Sequence, residues 1–257
     1  MVVWTIANQK GGVGKTTTTI SLGGLLAEQG HKVLLVDTDP HASLSYYFGI
    51  ESEDLDLSVY DLFTQVSSKE QILQSLCPTK YKNIDILPAV MGLATLDRSL
   101  GAKGGMGLVL KKAIQKLEGE YDYILLDCPP VLGVLMVNSL AASDRIIVPV
   151  QTEFLALKGL DRMIKTLEIM QGEQKAPFNF TIVPTMFDKR TKASLMAYRK
   201  LLELYPNNVW SGVVPVDTNF RNASQIQRVP SDYASSSRGV SAYRSLLNYL
   251  LKVPTKS

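Results

Sequence analysis

Eight consecutive residues, Lys10-Gly11-Gly12-Val13-Gly14-Lys15-Thr16-Thr17, constrain the fold of this chain more than any other stretch. They follow Val2 to Ala7, an apolar run rich in β-branched and aromatic side chains. They precede Thr18 to Gln29, where Ile20, Leu22, Leu25 and Leu26 mark the apolar side of a helix. Strand, glycine-rich turn and helix, in that order, are the setting of a phosphate-binding loop. Glycines let backbone N–H groups converge on an anion without Cβ clashes. The helix start adds unpaired N–H groups and the positive end of its dipole. Lys15 brings a mobile positive charge for β and γ phosphates, and Thr16 a hydroxyl for Mg²⁺.

The rest of the sequence repeats the same alternation. Apolar runs at Val33 to Val36, Ile84 to Leu87, Tyr121 to Leu126, Arg145 to Val150, Phe178 to Val183 and Val209 to Val214 read as strands. Helical patterns lie at Val59 to Phe63, Lys69 to Leu76, Leu108 to Leu117, Gly133 to Ala142, Ala156 to Met170, Thr191 to Leu204 and Val240 to Leu251. Wholly apolar strands between helices imply an α/β fold: one doubly wound, mostly parallel sheet with helices on both faces. Ligands of such sheets bind beyond the carboxyl ends of the strands. Gln9-Lys10, Asp37-Thr38-Asp39 and Asp127 all fall at such ends, as a lysine and carboxylates at a Mg-nucleotide site would. Gly101 to Gly107 holds four glycines but lacks a preceding strand and a following Gly-Lys-Ser/Thr, so it reads as a mobile connection.

The length, 257 residues without a linker-like stretch, suits a single domain spanning residues 1–257. Its two cysteines, Cys77 and Cys128, have no metal-ligand spacing and suit a reducing cytoplasm. Strand pattern begins at once, so no signal peptide is visible, and the longest apolar stretch, Val131 to Ala142, is too short to span a bilayer. Net charge is only +3, yet Met186 to Ser257 carries 11 Lys and Arg against 4 Asp and Glu. That asymmetry reads either as a basic face for nucleic acid or an acidic surface, or as an ordinary solvated face.

The loop departs from the general pattern G-x-x-x-x-G-K-[ST]: Gln9 stands where the first glycine belongs, and Lys10 with Gly11-Gly12 follows. K-G-G-V-G-K-T resembles the deviant Walker A loop of the ParA/MinD ATPases. The resemblance runs from Val2 to about Leu251 and is densest at KGGVGKTT, DTDP, LLDCPP and MFDKRT. It implies an ATPase that binds ATP and Mg²⁺, closes into a homodimer with ATP, and hydrolyses slowly until a partner protein stimulates it. Residues Lys10 to Thr17 would cradle the phosphates, with Lys10 reaching the partner's nucleotide. Thr16, Asp37 and Asp127 would hold Mg²⁺, Asp127 resembling the Walker B carboxylate. Asp39 would orient the attacking water, making Lys10, Lys15 and Asp39 the catalytic set. Met186, Pro215 and Asp217 would sit at the adenine. Cys128, in a segment resembling switch II, is expected to be a small buried side chain.

In the ParA branch the ATP dimer binds DNA without sequence preference, and Lys189, Arg190, Lys192, Arg221 and Arg228 fall where that branch carries DNA-contacting residues. The stretch Asp39 to Leu44, DPHASL, has His41 and Ser43 where many chromosome-partition members have Gln and Asn. It resembles the ParC branch, which places chemotaxis arrays at the bacterial cell pole. Chromosome or plasmid partition is the alternative cargo. A MinD-like membrane cycle would need a basic amphipathic helix after the domain, and only Lys252 to Ser257 follows the last helix. An amide-forming synthetase on a related fold would need an acceptor site, for which no motif is visible. The expected locations are therefore cytoplasm, nucleoid and cell pole, without stable membrane insertion.

Overall fold

Alternation of side chains to the two faces of each strand decides the architecture. On β2 (Val33–Asp37), Leu34 and Val36 pack into one apolar cluster, and Val33 and Leu35 into another on the opposite face. A strand buried on both faces needs a helical layer on each side. The computed structural model, which describes residues 1–52, 55–64, 68–100, 106–172 and 177–253, has that arrangement.

The chain runs through β1 (Val2–Ile6), α1 (Lys15–Glu28), β2, α2 (Ser43–Tyr47), α3 (Val59–Thr64), α4 (Lys69–Gln74), β3 (Cys77–Pro78), β4 (Ile84–Leu87) and α5 (Leu93–Leu100). It continues with α6 (Val109–Lys116), β5 (Tyr123–Asp127), α7 (Val134–Ala142), β6 (Arg145–Gln151), α8 (Phe154–Gln171), β7 (Phe180–Thr185) and α9 (Lys192–Leu204). The last helices are α10 (Asn219–Gln225), α11 (Pro230–Tyr233) and α12 (Arg238–Lys252). The strands form one seven-stranded sheet in the order β3-β4-β2-β5-β1-β6-β7. Every pairing is parallel except that of the two-residue β3 with β4. Central β1 lies between β5 and β6, so the loop after it opens at the carboxyl ends of three strands. Of the expected glycine-rich connection, Gly101 to Gly107, residues 101–105 lie outside the described residues, and Met106–Leu108 forms a single 3-10 turn ahead of α6.

One expected strand does not form. Val209 to Val214 touches the β7 edge at only two places, where Trp210 N donates to Ile182 O and Val214 N to Pro184 O. The N–H and C=O of a strand residue point to the same edge, and Pro184 has no N–H. The ladder therefore breaks opposite Pro184, and the segment bows out at Ser211-Gly212. The expected stripe on α12 is buried at Val240, Tyr243, Leu246, Leu247 and Leu250, while Leu251 stays 41% exposed. Arg145, wholly buried at the start of β6, donates from its guanidinium to the carbonyls of Leu250 and Val253 and caps the end of that helix.

Candidate functional site

Two residues of the loop, Gly12 (φ +74°) and Gly14 (φ +92°), adopt the left-handed backbone that β-carbons disfavour. A Cβ at Gly11, Gly12 or Gly14 would meet nothing within 4 Å, so the space over the loop is open. The loop is tied down from neighbouring strands. Asn8, fully buried, accepts from Lys10 N (3.0 Å) and donates to Pro149 O (2.8 Å). Thr185 Oγ1 donates to Val13 O (2.9 Å). Helix α1 begins at Lys15, three residues earlier than its apolar pattern suggests, so Lys15, Thr16 and Thr17 form its first turn with their N–H groups toward the loop. Lys15 is 92% buried, its Nζ 3.4 Å from Lys10 O.

Register brings the two predicted metal carboxylates together. Asp37 ends β2 opposite Asp127 at the end of β5, and both are buried. Thr16 Oγ1 donates to Asp127 Oδ2 (2.6 Å), and Thr19 Oγ1 to Asp127 Oδ1 (3.3 Å). Burial, then the neighbouring Asp37 charge, pushes the Asp127 carboxyl up to about 8. Burial pushes Asp37 up to about 6 despite hydrogen bonds from Ser45 N (2.9 Å) and Ser45 Oγ (2.8 Å). Two carboxylates held at a desolvation cost beside a hydroxyl, under open space, are a donor set suited to a hard divalent cation that also takes ligand oxygens. No group of three or more His, Cys, Asp or Glu side chains placed to hold a metal ion exists among the described residues. Asp39, half-buried, spends Oδ1 on His41 N (3.0 Å). Cys128 is buried as expected, and burial pushes its thiol up to about 12.

A cleft of about 580 Å³ runs from Gly14, Thr16 and Thr17 to Met186, Pro215 and Asp217, so these three predicted phosphate residues and the three predicted base residues line one cavity. Met186 there has φ +51°. Asp217 accepts from Asn219 N (3.0 Å) and Gly239 N (2.9 Å), which binds the β7 side of the cleft to the start of α12.

The five predicted DNA-contacting residues do not share one setting. Lys189 and Arg190 line a second groove with Arg238, whereas Arg221 lines the first cleft. Arg190 is paired with Asp188 and Arg228 with Asp232, each through two guanidinium nitrogens. Lys189, Lys192 and Arg221 have no ion pair among the described residues. Lys10 is also engaged: its ammonium pairs with Glu153 ahead of α8.

Sequence reasoning missed Asn8, Thr19, Ser45, Glu153 and Thr185. Asn8 and Thr185 hold the loop, Thr19 and Ser45 bond to the strand-end aspartates, and Glu153 pairs with Lys10; each is a solitary polar residue outside any motif. Arg238 was equally silent, since one arginine at a helix start carries no motif.

The comparisons with known proteins agree with this geometry. Residues 1–180 match a family model described as an AAA domain. The sporulation initiation inhibitor protein Soj of Bacillus subtilis is 35% identical over 242 residues, covering 94% of each chain. The chromosome partitioning protein ParA of Caulobacter vibrioides is 33% identical over 247 residues, covering 95% of this chain and 91% of its own. A crystal structure described as cobyrinic acid a,c-diamide synthase from Mycobacterium smegmatis, with bound ATP analog and magnesium, matches with a TM-score of 0.83. It is 33% identical and covers 98% of this chain and 95% of its own. With its deviant phosphate loop, its paired strand-end aspartates and relatives of this similarity along nearly its whole length, the chain belongs to the ParA/MinD family of P-loop ATPases.

Proposed function

We propose that this chain is an ATP-driven dimerisation switch with slow, partner-stimulated ATPase activity that positions intracellular cargo, its ATP dimer binding duplex DNA without sequence preference. The observation that carries this reading is the Thr16 hydroxyl on the buried Asp127 carboxylate at the foot of an open glycine cradle. Thr16, Asp127 and Asp37 would hold Mg²⁺, which when bound offsets phosphate charge. Lys15 brings a largely buried ammonium to the same cradle, where fixed charge is stronger than in water. Asp39 keeps Oδ2 free of hydrogen bonds among the described residues and orients a water against the phosphate. Met186, Pro215 and Asp217 receive the adenine at the far end of the cleft. Lys10 reaches the nucleotide of a second copy, and this supplies the contact that exists only in the dimer.

Lys189, Lys192 and Arg221, without an ion pair among the described residues, offer their charge to DNA phosphates, and Arg190 and Arg228 join by exchanging their carboxylate partners. The DPHASL stretch supports chemotaxis arrays at the cell pole as the cargo. The relatives named for chromosome partitioning support chromosome or plasmid partition as the second reading. No described helix is long and apolar enough to cross a membrane. The synthase named for the Mycobacterium smegmatis neighbour would make ATP use depend on an acid acceptor and an amide nitrogen donor, whereas the switch makes it depend on a second copy.

Light scattering with ATP, ADP or no nucleotide tests the switch. Asp39→Ala binds ATP and accumulates as a dimer in this account; a protein that stays monomeric with ATP bound contradicts it.

A further inference from the structure

Thr185 is not one of the residues assigned to nucleotide, metal or DNA, yet it touches the phosphate loop. It ends β7, is 98% buried, and directs its hydroxyl to one acceptor, the carbonyl of Val13 at 2.9 Å. Its own carbonyl accepts from Thr152 N (3.0 Å), so the hydroxyl is mounted on a fixed strand end.

Val13 sits between the two left-handed glycines of the loop. The peptide that carries the Val13 carbonyl and the Gly14 N–H turns over on ψ of Val13 and φ of Gly14, and glycine at the second of these hinges lowers the steric cost. In a planar trans peptide the C=O of one residue and the N–H of the next point in opposite directions. Pinning the Val13 carbonyl toward β7 therefore aims the Gly14 N–H the other way. That N–H has no acceptor among the described residues, and Gly14 lines the nucleotide cleft. We infer that Thr185 is a positioning residue that holds the Gly14 N–H in the direction a nucleotide phosphate requires.

This inference rests on the nucleotide reading and deepens it. Thr185 also lines the cleft, but its hydroxyl proton is spent on Val13 O, so in this role it acts through the loop by removing a backbone state in which the donor is turned away. Without it the Val13 carbonyl is left unpaired, and the loop divides its time between two peptide orientations. Only the orientation with Gly14 N–H in the cleft binds well, so affinity falls with its population.

The test is calorimetric titration of ADP with Mg²⁺ into the wild type, Thr185→Val, Thr185→Ala and Thr185→Ser. It is paired with the ¹H–¹⁵N signal of Gly14 before and after ADP. Valine keeps the volume, alanine removes it, and serine keeps the hydroxyl. The valine and alanine variants are expected to lose affinity roughly 10- to 100-fold, the worth of a hydrogen bond to a charged group. The serine variant is expected to stay close to wild type. The Gly14 signal is expected to move strongly with ADP in the wild type and the serine variant and little in the other two. If the valine variant fails to fold, the alanine and serine pair decides. A wild type that does not bind ADP overturns the nucleotide reading itself. A wild type that binds, with valine and alanine variants of equal affinity, overturns the role of Thr185. Equal losses in alanine and serine variants also overturn it, since packing and not the hydroxyl would then matter.

Discussion

The ammonium of Lys10 is ion-paired with the carboxylate of Glu153, the residue that precedes α8. Glu153 occupies the N-cap position but makes no capping hydrogen bond there, because its side chain turns to Lys10. The lysine proposed to reach a partner's nucleotide is thus held within its own protomer. Both side chains are partly exposed, so the pair contributes only about 0–1 kcal/mol. Glu153→Gln should lower the ATP concentration needed for half-maximal dimerisation by at most about fivefold, read by light scattering. A higher requirement would mean that Glu153 supports the dimer.

The strand-end aspartates give the ligand-free protein a characteristic pH response. Asp37 and Asp127 have carboxyls raised to about 6 and about 8, chiefly by burial, against 3.8 for an ordinary aspartate. The folded state keeps protons that the unfolded chain releases, so stability is fullest at low pH within this window. It falls as pH rises from about 4 through about 8. Thermal unfolding of metal-free, nucleotide-free protein should show a lower midpoint at the upper end of that window, and Asp127→Asn should flatten the slope. A midpoint that climbs with pH in both proteins would contradict the burial argument.

Helix α1 presses its glycine face against α11. A Cβ at Gly24 would lie 2.1 Å from Cγ1 of Val229, which is itself buried. Gly24→Ala should cost roughly 1–3 kcal/mol of overpacking in urea unfolding, and Val229→Ala in the same chain should return part of it. Additive losses in the double variant would show that the two sites do not meet.

Arg221 and Arg228 separate charge from structure. Arg228 is held by Asp232 and its carbonyl by Tyr47 Oη (2.7 Å), whereas Arg221 has no ion pair among the described residues. Arg221→Glu should weaken DNA binding by the ATP dimer and lower the salt slope by about one, with unfolding unchanged. Arg228→Glu should lower stability as well. Identical behaviour of the two variants would reject this distinction.

Much of this was legible before any fold was known. The phosphate loop and the strand-end aspartates are local signals: glycine spacing, and apolar runs closed by a carboxylate. Parallel register then places Asp37 opposite Asp127 without further information. The elements that escaped notice are short or polar. In α10, NFRNASQ, only Ala223 is buried, and α2 is five residues long, so neither carries a readable apolar period. Val209 to Val214 has strand composition, but its partner edge carries Pro184, a pairing that composition does not disclose. The bonds from Asn8 to Pro149 and from Thr185 to Val13 span 141 and 172 residues of chain and leave no local trace.

Binding of duplex DNA by the purified protein with ATP, ADP or no nucleotide, across a salt series, tests the proposed switch most directly. The account predicts binding that needs ATP, ignores sequence and weakens steeply with salt. Binding that is absent with every nucleotide, while ATP still drives dimerisation, would contradict it and leave the basic residues of the C-terminal region as a docking surface for another partner.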